Sequence, residues 1–150
     1  METKQISTKL SNIAIATGMS IFIISINGAI LNLLYPMWGL HIGYKQIPSW
    51  QSLLSLLVTA PLAEEFIFRW IPFRLLKDTT LFKEKTYYFV AISAIIFGYI
   101  HGGFNNIYLQ GVAGFFFGWV YIKNEMSYWS AVATHFLYNF MICIIFPLIS

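Results

Sequence analysis

Ser52-Leu-Leu-Ser-Leu-Leu-Val-Thr-Ala-Pro-Leu-Ala-Glu-Glu-Phe-Ile-Phe-Arg69 decides the reading of this chain. The stretch is apolar enough to cross a bilayer, yet it holds two adjacent carboxylates, Glu64 and Glu65, and the cation Arg69. An ionisable group at membrane depth costs about 2.5–3.5 kcal/mol on insertion scales, and side chains kept at that cost face a bundle interior and serve a purpose. Glu64, Glu65 and Arg69 therefore mark a candidate site.

Composition widens the inference to the whole chain. Of 150 residues, 58% are hydrophobic and 10% charged, against about 25% charged in a soluble domain. The expectation is an all-α, polytopic transmembrane bundle with the lipid bilayer as its first partner. Its length suits a single domain, 1–150, of about five helices. A net charge of +3 is small and scattered along the chain, which argues against nucleic-acid binding. Cys143 is the single cysteine and lies in an apolar run, so a disulfide framework and a cysteine zinc site are excluded.

Five apolar spans emerge: Leu10 to Leu34, Gln51 to Leu76, Tyr87 to His101, Ile107 to Ile122 and Tyr128 to Ile149. The first follows a polar head with Lys4 and Lys9 and has no small-residue cleavage site, so it reads as an anchor. Cations orient the bundle. With the amino terminus inside, Lys4, Lys9, Arg74, Lys77, Lys83, Lys85 and Lys123 are cytoplasmic, and only Lys45 is outside. That bias predicts N-in, C-out.

Polar residues inside the other spans test whether one site can form. His101 ends the third span, four residues after Phe97, and His135 and Asn139 share a helix face in the fifth. At ~1.5 Å per residue, Glu64 lies ~18 Å from the cytoplasmic end of its helix, His101 ~21 Å, and His135 and Asn139 ~10 and ~16 Å. All four fall in one layer.

Such a set suits amide hydrolysis within a membrane. A buried glutamate takes a proton from water, a neutral histidine shares or returns it, and a second histidine with an amide donates to a developing oxyanion. Alternatively, Glu64, His101 and His135 hold a zinc ion that activates the water. Arg69 lies on the same face as Glu65 and neutralises it, leaving Glu64 free to titrate. Competing protease chemistries lack their residues. H-E-x-x-H is absent, Asp78 is the only aspartate, and no Gly-x-Ser-Gly occurs.

Glu64-Glu65-Phe-Ile-Phe-Arg69 matches E-E-x-x-x-R, Phe97-Gly-Tyr-Ile-His101 matches F-x-x-x-H, and His135-Phe-Leu-Tyr-Asn139 matches H-x-x-x-N. In this order the chain resembles the CAAX-protease and bacteriocin-processing family of intramembrane endopeptidases, also called Abi, with a family-like core over 51–149. The resemblance implies a multi-pass protein of a bacterial cell membrane. In it Glu64 and His101 activate water, His135 and Asn139 support the oxyanion, and Glu65, Arg69 and Phe97 assist. It also implies a peptide or prenylated protein substrate, with roles in bacteriocin maturation, self-immunity or CAAX-like processing, and a metal-dependent variant of the reaction. The rival reading is a non-catalytic immunity, binding or transport protein that uses the same cluster. Gly114-x-x-x-Gly118 reads as close helix packing, Phe115-Phe116-Phe117 as lipid-facing or core, and Trp38, Trp50, Trp70 and Trp129 as interfacial anchors. His41 reads as a solvated loop residue.

Overall fold

A computed structural model describes residues 2–34 and 48–145, and every regular element among them is helical. The rods are α1 (Glu2–Leu34), α2 (Trp50–Leu76), α3 (Thr80–Ile100), α4 (104–123) and α5 (128–145). Two of them, over Thr3–Ile30 and Trp50–Leu76, are long and apolar enough to cross a bilayer. The readings placed on Trp38, His41 and Lys45, and the end of the fifth span, lie outside the described residues.

Each helix begins within a few residues of its expected span or extends it with polar turns. α3 starts at Thr80 where hydropathy put Tyr87, an extension comparable to that of α1, which starts at Glu2 and not Leu10. The cap of α3 is Thr79, whose hydroxyl accepts from the Phe82 amide at 3.2 Å. The early turns hold Lys83-Glu84-Lys85, and Lys85 departs from helical geometry (φ −122°, ψ 28°). A polar collar is thereby set off from the apolar rod, and hydropathy alone sees only the rod.

α2 is one rod with two wide turns, π-helical at Ser55–Thr59 and Phe66–Trp70. A proline follows each turn, and this explains the cross-links that hold α2. Proline has no N–H, so it cannot close onto a carbonyl one turn earlier. Beyond the first turn the Ala60 amide still reaches Ser55 O, but Pro61 gives nothing to Leu56 O. Asn139 of α5 takes that carbonyl at 2.7 Å. Pro72 likewise has no N–H to give, and close by the Ser93 hydroxyl of α3 takes Phe68 O at 2.8 Å. In an apolar medium a freed backbone group needs such a partner. Pro61 and Pro72 therefore turn α2 into the rod its neighbours must grip.

α4 is central and packs against α1, α3 and α5. The core around it comprises Ile24, Phe97, Leu109, Ala113, Phe117 and Tyr138, with a second cluster of Phe73, Phe82, Val90, Tyr121 and Ala131. Phe117 is fully enclosed, so the aromatic run is core at that position. A Cβ at Gly118 would stand 2.9 Å from Val90 Cγ1, which fits the close-packing expectation there. Ile6, Leu10, Ile15, Phe22 and Ile26 of α1 are exposed, an apolar outer face suited to lipid. Trp50 and Trp129 begin their helices and are largely exposed. Trp70 lies in the second wide turn of α2 and stacks on Phe66 at 4.9 Å.

Candidate active site

Three elements deliver the site. α2 brings Glu64 and Glu65 between its two wide turns. α3 ends on Phe97 and His101, where Gly102 (φ 144°) and Gly103 (φ 79°) reverse the chain in backbone regions closed to most side chains. A Cβ on Gly102 would also run into the Asn106 amide, and that amide donates to His101 O at 2.6 Å. α5 brings His135 and Asn139.

Glu64 Oε2 lies 3.6 Å from His101 Nε2 and 3.8 Å from His135 Nε2. The expectation that residues from the second, third and fifth spans share one layer is met for these three. Their access differs. Glu64 and His101 side chains keep 24% and 29% exposure, and His135 keeps 4%. The site therefore has an open side along Glu64 and His101 and a closed back at His135.

Hydrogen-bond partners fix the tautomers. His101 Nδ1 is 2.7 Å from Phe97 O, and a carbonyl only accepts, so Nδ1 carries the hydrogen. His135 Nδ1 is 2.8 Å from Glu65 Oε1, and a buried carboxylate beside a guanidinium also accepts. When both rings are neutral, each turns an Nε2 lone pair toward Glu64 Oε2. Three acceptors meeting at one point repel one another. A proton or a water molecule between them relieves that repulsion, so the cluster is built around exchangeable hydrogen.

The two glutamates are not equivalent. Glu65 and Arg69 are fully enclosed, with Arg69 Nη1 3.2 Å from Glu65 Oε1. Arg69 Nη2 donates to Gly114 O at 2.7 Å. Its guanidinium carbon stands 4.7 Å from the centre of the Phe97 ring, within cation–π range. Phe97 also lies 4.3 Å from the His101 ring and 5.8 Å from His135. One aromatic side chain thus packs against all the basic groups of the site. Asn139 is engaged differently from His135, because one N–H of its amide is committed to Leu56 O. The second N–H remains for another acceptor.

Two Nε2 atoms and a carboxylate oxygen, each ring tethered through Nδ1, are a donor set a divalent metal accepts. Four ligands at ~2.1 Å stand ~3.4 Å apart. Among the described residues no group of three His, Cys, Asp or Glu is gathered at metal-binding spacing.

Two residues at the site were read only as packing from sequence, Gly114 and Phe117. Phe117 stacks on His135 at 4.4 Å with the planes 20° apart. A sequence pattern carries no sign of either contact, because both arise from how α4 lies against α2 and α5. The partner of Asn139 was more accessible: Pro61 in α2 announces a carbonyl without its donor.

Residues 46–141 match the family described as Type II CAAX prenyl endopeptidase Rce1-like. The chain belongs to this family. The matched region spans α2, α3, α4 and most of α5, so every side chain of the cluster falls within the Rce1-like segment. The chain is also similar to a Bacillus subtilis (strain 168) protein named "Putative membrane peptidase YdiL", 33% identical over 89 residues. That similarity covers 58% of this chain and 34% of the relative, so the chain spans about a third of the relative's length. No solved structure matches.

Proposed function

We propose that this Rce1-like chain is an intramembrane endopeptidase that hydrolyses a peptide bond by direct activation of water. The observation that carries the reading is the convergence of His101 Nε2 and His135 Nε2 on Glu64 Oε2. Family membership supports it independently. Water enters from the open side and gives a proton to Glu64, with His101 as the adjoining acceptor. The resulting hydroxide adds to the scissile carbonyl carbon, and the carbonyl oxygen becomes an oxyanion. The one proton that the resting cluster holds among Glu64, His101 and His135 sits on His135 Nε2 in this step, and that N–H and the second N–H of Asn139 donate to the oxyanion. Glu65 beside His135 Nδ1 offsets the imidazolium charge. Collapse breaks the C–N bond, and the proton held by Glu64 and His101 passes to the leaving amine.

The proposed membrane arrangement is five spans in a single domain, N-in and C-out, with the site at one depth in the bilayer. The substrate is a membrane-associated peptide or a prenylated protein with a CAAX-type end, in keeping with the family description. Bacteriocin maturation and self-immunity are the other roles within the same chemistry.

The test is Glu64→Gln, which keeps the shape and removes the base. Expected is loss of cleavage of an internally quenched prenylated CAAX-type peptide in proteoliposomes, at unchanged membrane level. Full retention of cleavage would sink the catalytic assignment. Metal content of the purified active protein, measured alongside, separates the water-only route from zinc.

A further inference from the structure

α4 carries none of the three sequence motifs, yet it contacts their side chains directly. Building on the protease reading above, we propose that Gly114 and Phe117 are positioning residues of the active site. The bare backbone at Gly114 seats the guanidinium that holds Glu65, and the Phe117 ring fixes the plane of His135.

Gly114 acts through what it lacks as well as what it offers. Its carbonyl accepts from Arg69 Nη2 at 2.7 Å. A Cβ at that position would stand 2.9 Å from Arg69 Nη2 and 2.9 Å from Phe97 Cδ1. Any side chain would therefore push the guanidinium and the Phe97 ring together. The displacement continues along a defined route, because Arg69 Nη1 meets Glu65 Oε1 and the same oxygen meets His135 Nδ1. Three residues further along α4, on the same helix face, Phe117 reaches His135 directly, stacked at 4.4 Å. It also lies 5.7 Å from the guanidinium. One face of α4 thus holds His135 twice, through the Arg69–Glu65 pair and through the ring stack. Gly118 supplies the control. It is equally tight, at 2.9 Å, but its neighbour is Val90 of α3 and not a site residue.

The experiment uses the full chain in detergent micelles with nitrogen-15-labelled histidine. Expected is a displaced His135 ring-nitrogen resonance in Gly114→Ala and in Phe117→Leu, and the parental resonance in Gly118→Ala. Cleavage of the internally quenched prenylated CAAX-type peptide should follow the same division. A misplacement approaching 1 Å costs on the order of 100-fold, so kcat falls by about that factor in the first two variants with KM little changed. If Gly114→Ala does not fold, Phe117→Leu carries the test alone. An unchanged His135 resonance and parental kcat in that variant, or effects equal to those of Gly118→Ala, would reduce α4 to packing and overturn the roles. Glu64→Gln, run in parallel, separates the two failures. An inactive Glu64→Gln with a silent His135 response removes the positioning roles alone. A fully active Glu64→Gln removes the protease reading, and catalytic positioning falls with it.

Discussion

Arg69→Gln removes a buried positive charge while leaving an amide of similar reach. Both partners of the Glu65–Arg69 pair are fully enclosed, and breaking such a pair from one side costs about 3–5 kcal/mol because the surviving charge is uncompensated. Two observations place this case toward the lower end. Glu65 Oε1 keeps His135 Nδ1 at 2.8 Å. Glu65 Oε2 and Arg69 Nε have no hydrogen-bond partner among the described residues, so the pair is incompletely satisfied from the start. Against these stands the lost bond to Gly114 O, of the kind that contributes about 1.5–3 kcal/mol when the donor is charged. A net cost of about 3–4 kcal/mol follows. In a chain of this size each kcal/mol moves the melting temperature by ~2–4 °C, so Arg69→Gln should melt roughly 6–16 °C lower. The double variant Glu65→Gln/Arg69→Gln leaves no orphaned charge and should regain more than half of that loss. Thermal unfolding in micelles reads both. Melting within about 2 °C of the parent for the single variant, or a double variant below the single, would refute the reasoning.

The remaining predictions concern the bundle and its polar ties. Asn139→Ala orphans Leu56 O and should cost about 1–3 kcal/mol. Adding Pro61→Ala restores an N–H for that carbonyl and should recover stability without recovering peptide cleavage. Recovery of both would limit Asn139 to holding α2. For the proposed orientation, in a Cys143→Ser background, an impermeant maleimide should label Ser49→Cys in intact cells and spare Lys83→Cys. The reverse pattern would invert the topology. At the α4–α5 turn, Lys9 Nζ bonds Glu125 at 2.9 Å, and Gln5 adds a further contact. The hydrogen bond and charge of Lys9 hold the Glu125 carboxyl below its ordinary value of 4.5. A depressed carboxylate stabilises above the ordinary value and loses that contribution as pH falls through the lowered one. Lys9→Ala should therefore differ little from the parent in melting temperature, as exposed pairs do. Whatever gap exists at neutral pH should close on acidification below about 4, and a widening gap would contradict the assignment.

Much of the helix order was legible because apolar runs need little beyond hydropathy to be seen. The meeting of Glu64, His101 and His135 was legible too, since rise per residue converts sequence position into depth. Asymmetry of the glutamates followed from spacing, because Arg69 stands one turn from Glu65. The start of α3 was misread since Thr79 announces a helix through its hydroxyl and not through hydrophobicity. Gly114 and Phe117 stayed hidden for a different reason. Their partners lie on other helices, and which residue of α4 faces Arg69 depends on helix rotation, a quantity that local pattern does not encode.

The meeting of Glu64 Oε2 with two imidazole nitrogens has a consequence for inhibitor chemistry. A pocket lined by three lone pairs disfavours an anion and welcomes hydrogen. Phosphinates and carboxylates would enter only by carrying protons with them. A hydrated ketone offers two hydroxyl hydrogens at one carbon, and a protonated amine offers three. Either fills the gap among Glu64, His101 and His135 without a metal. A compound series ranked by donor count, and not by negative charge, is the one this pocket should select.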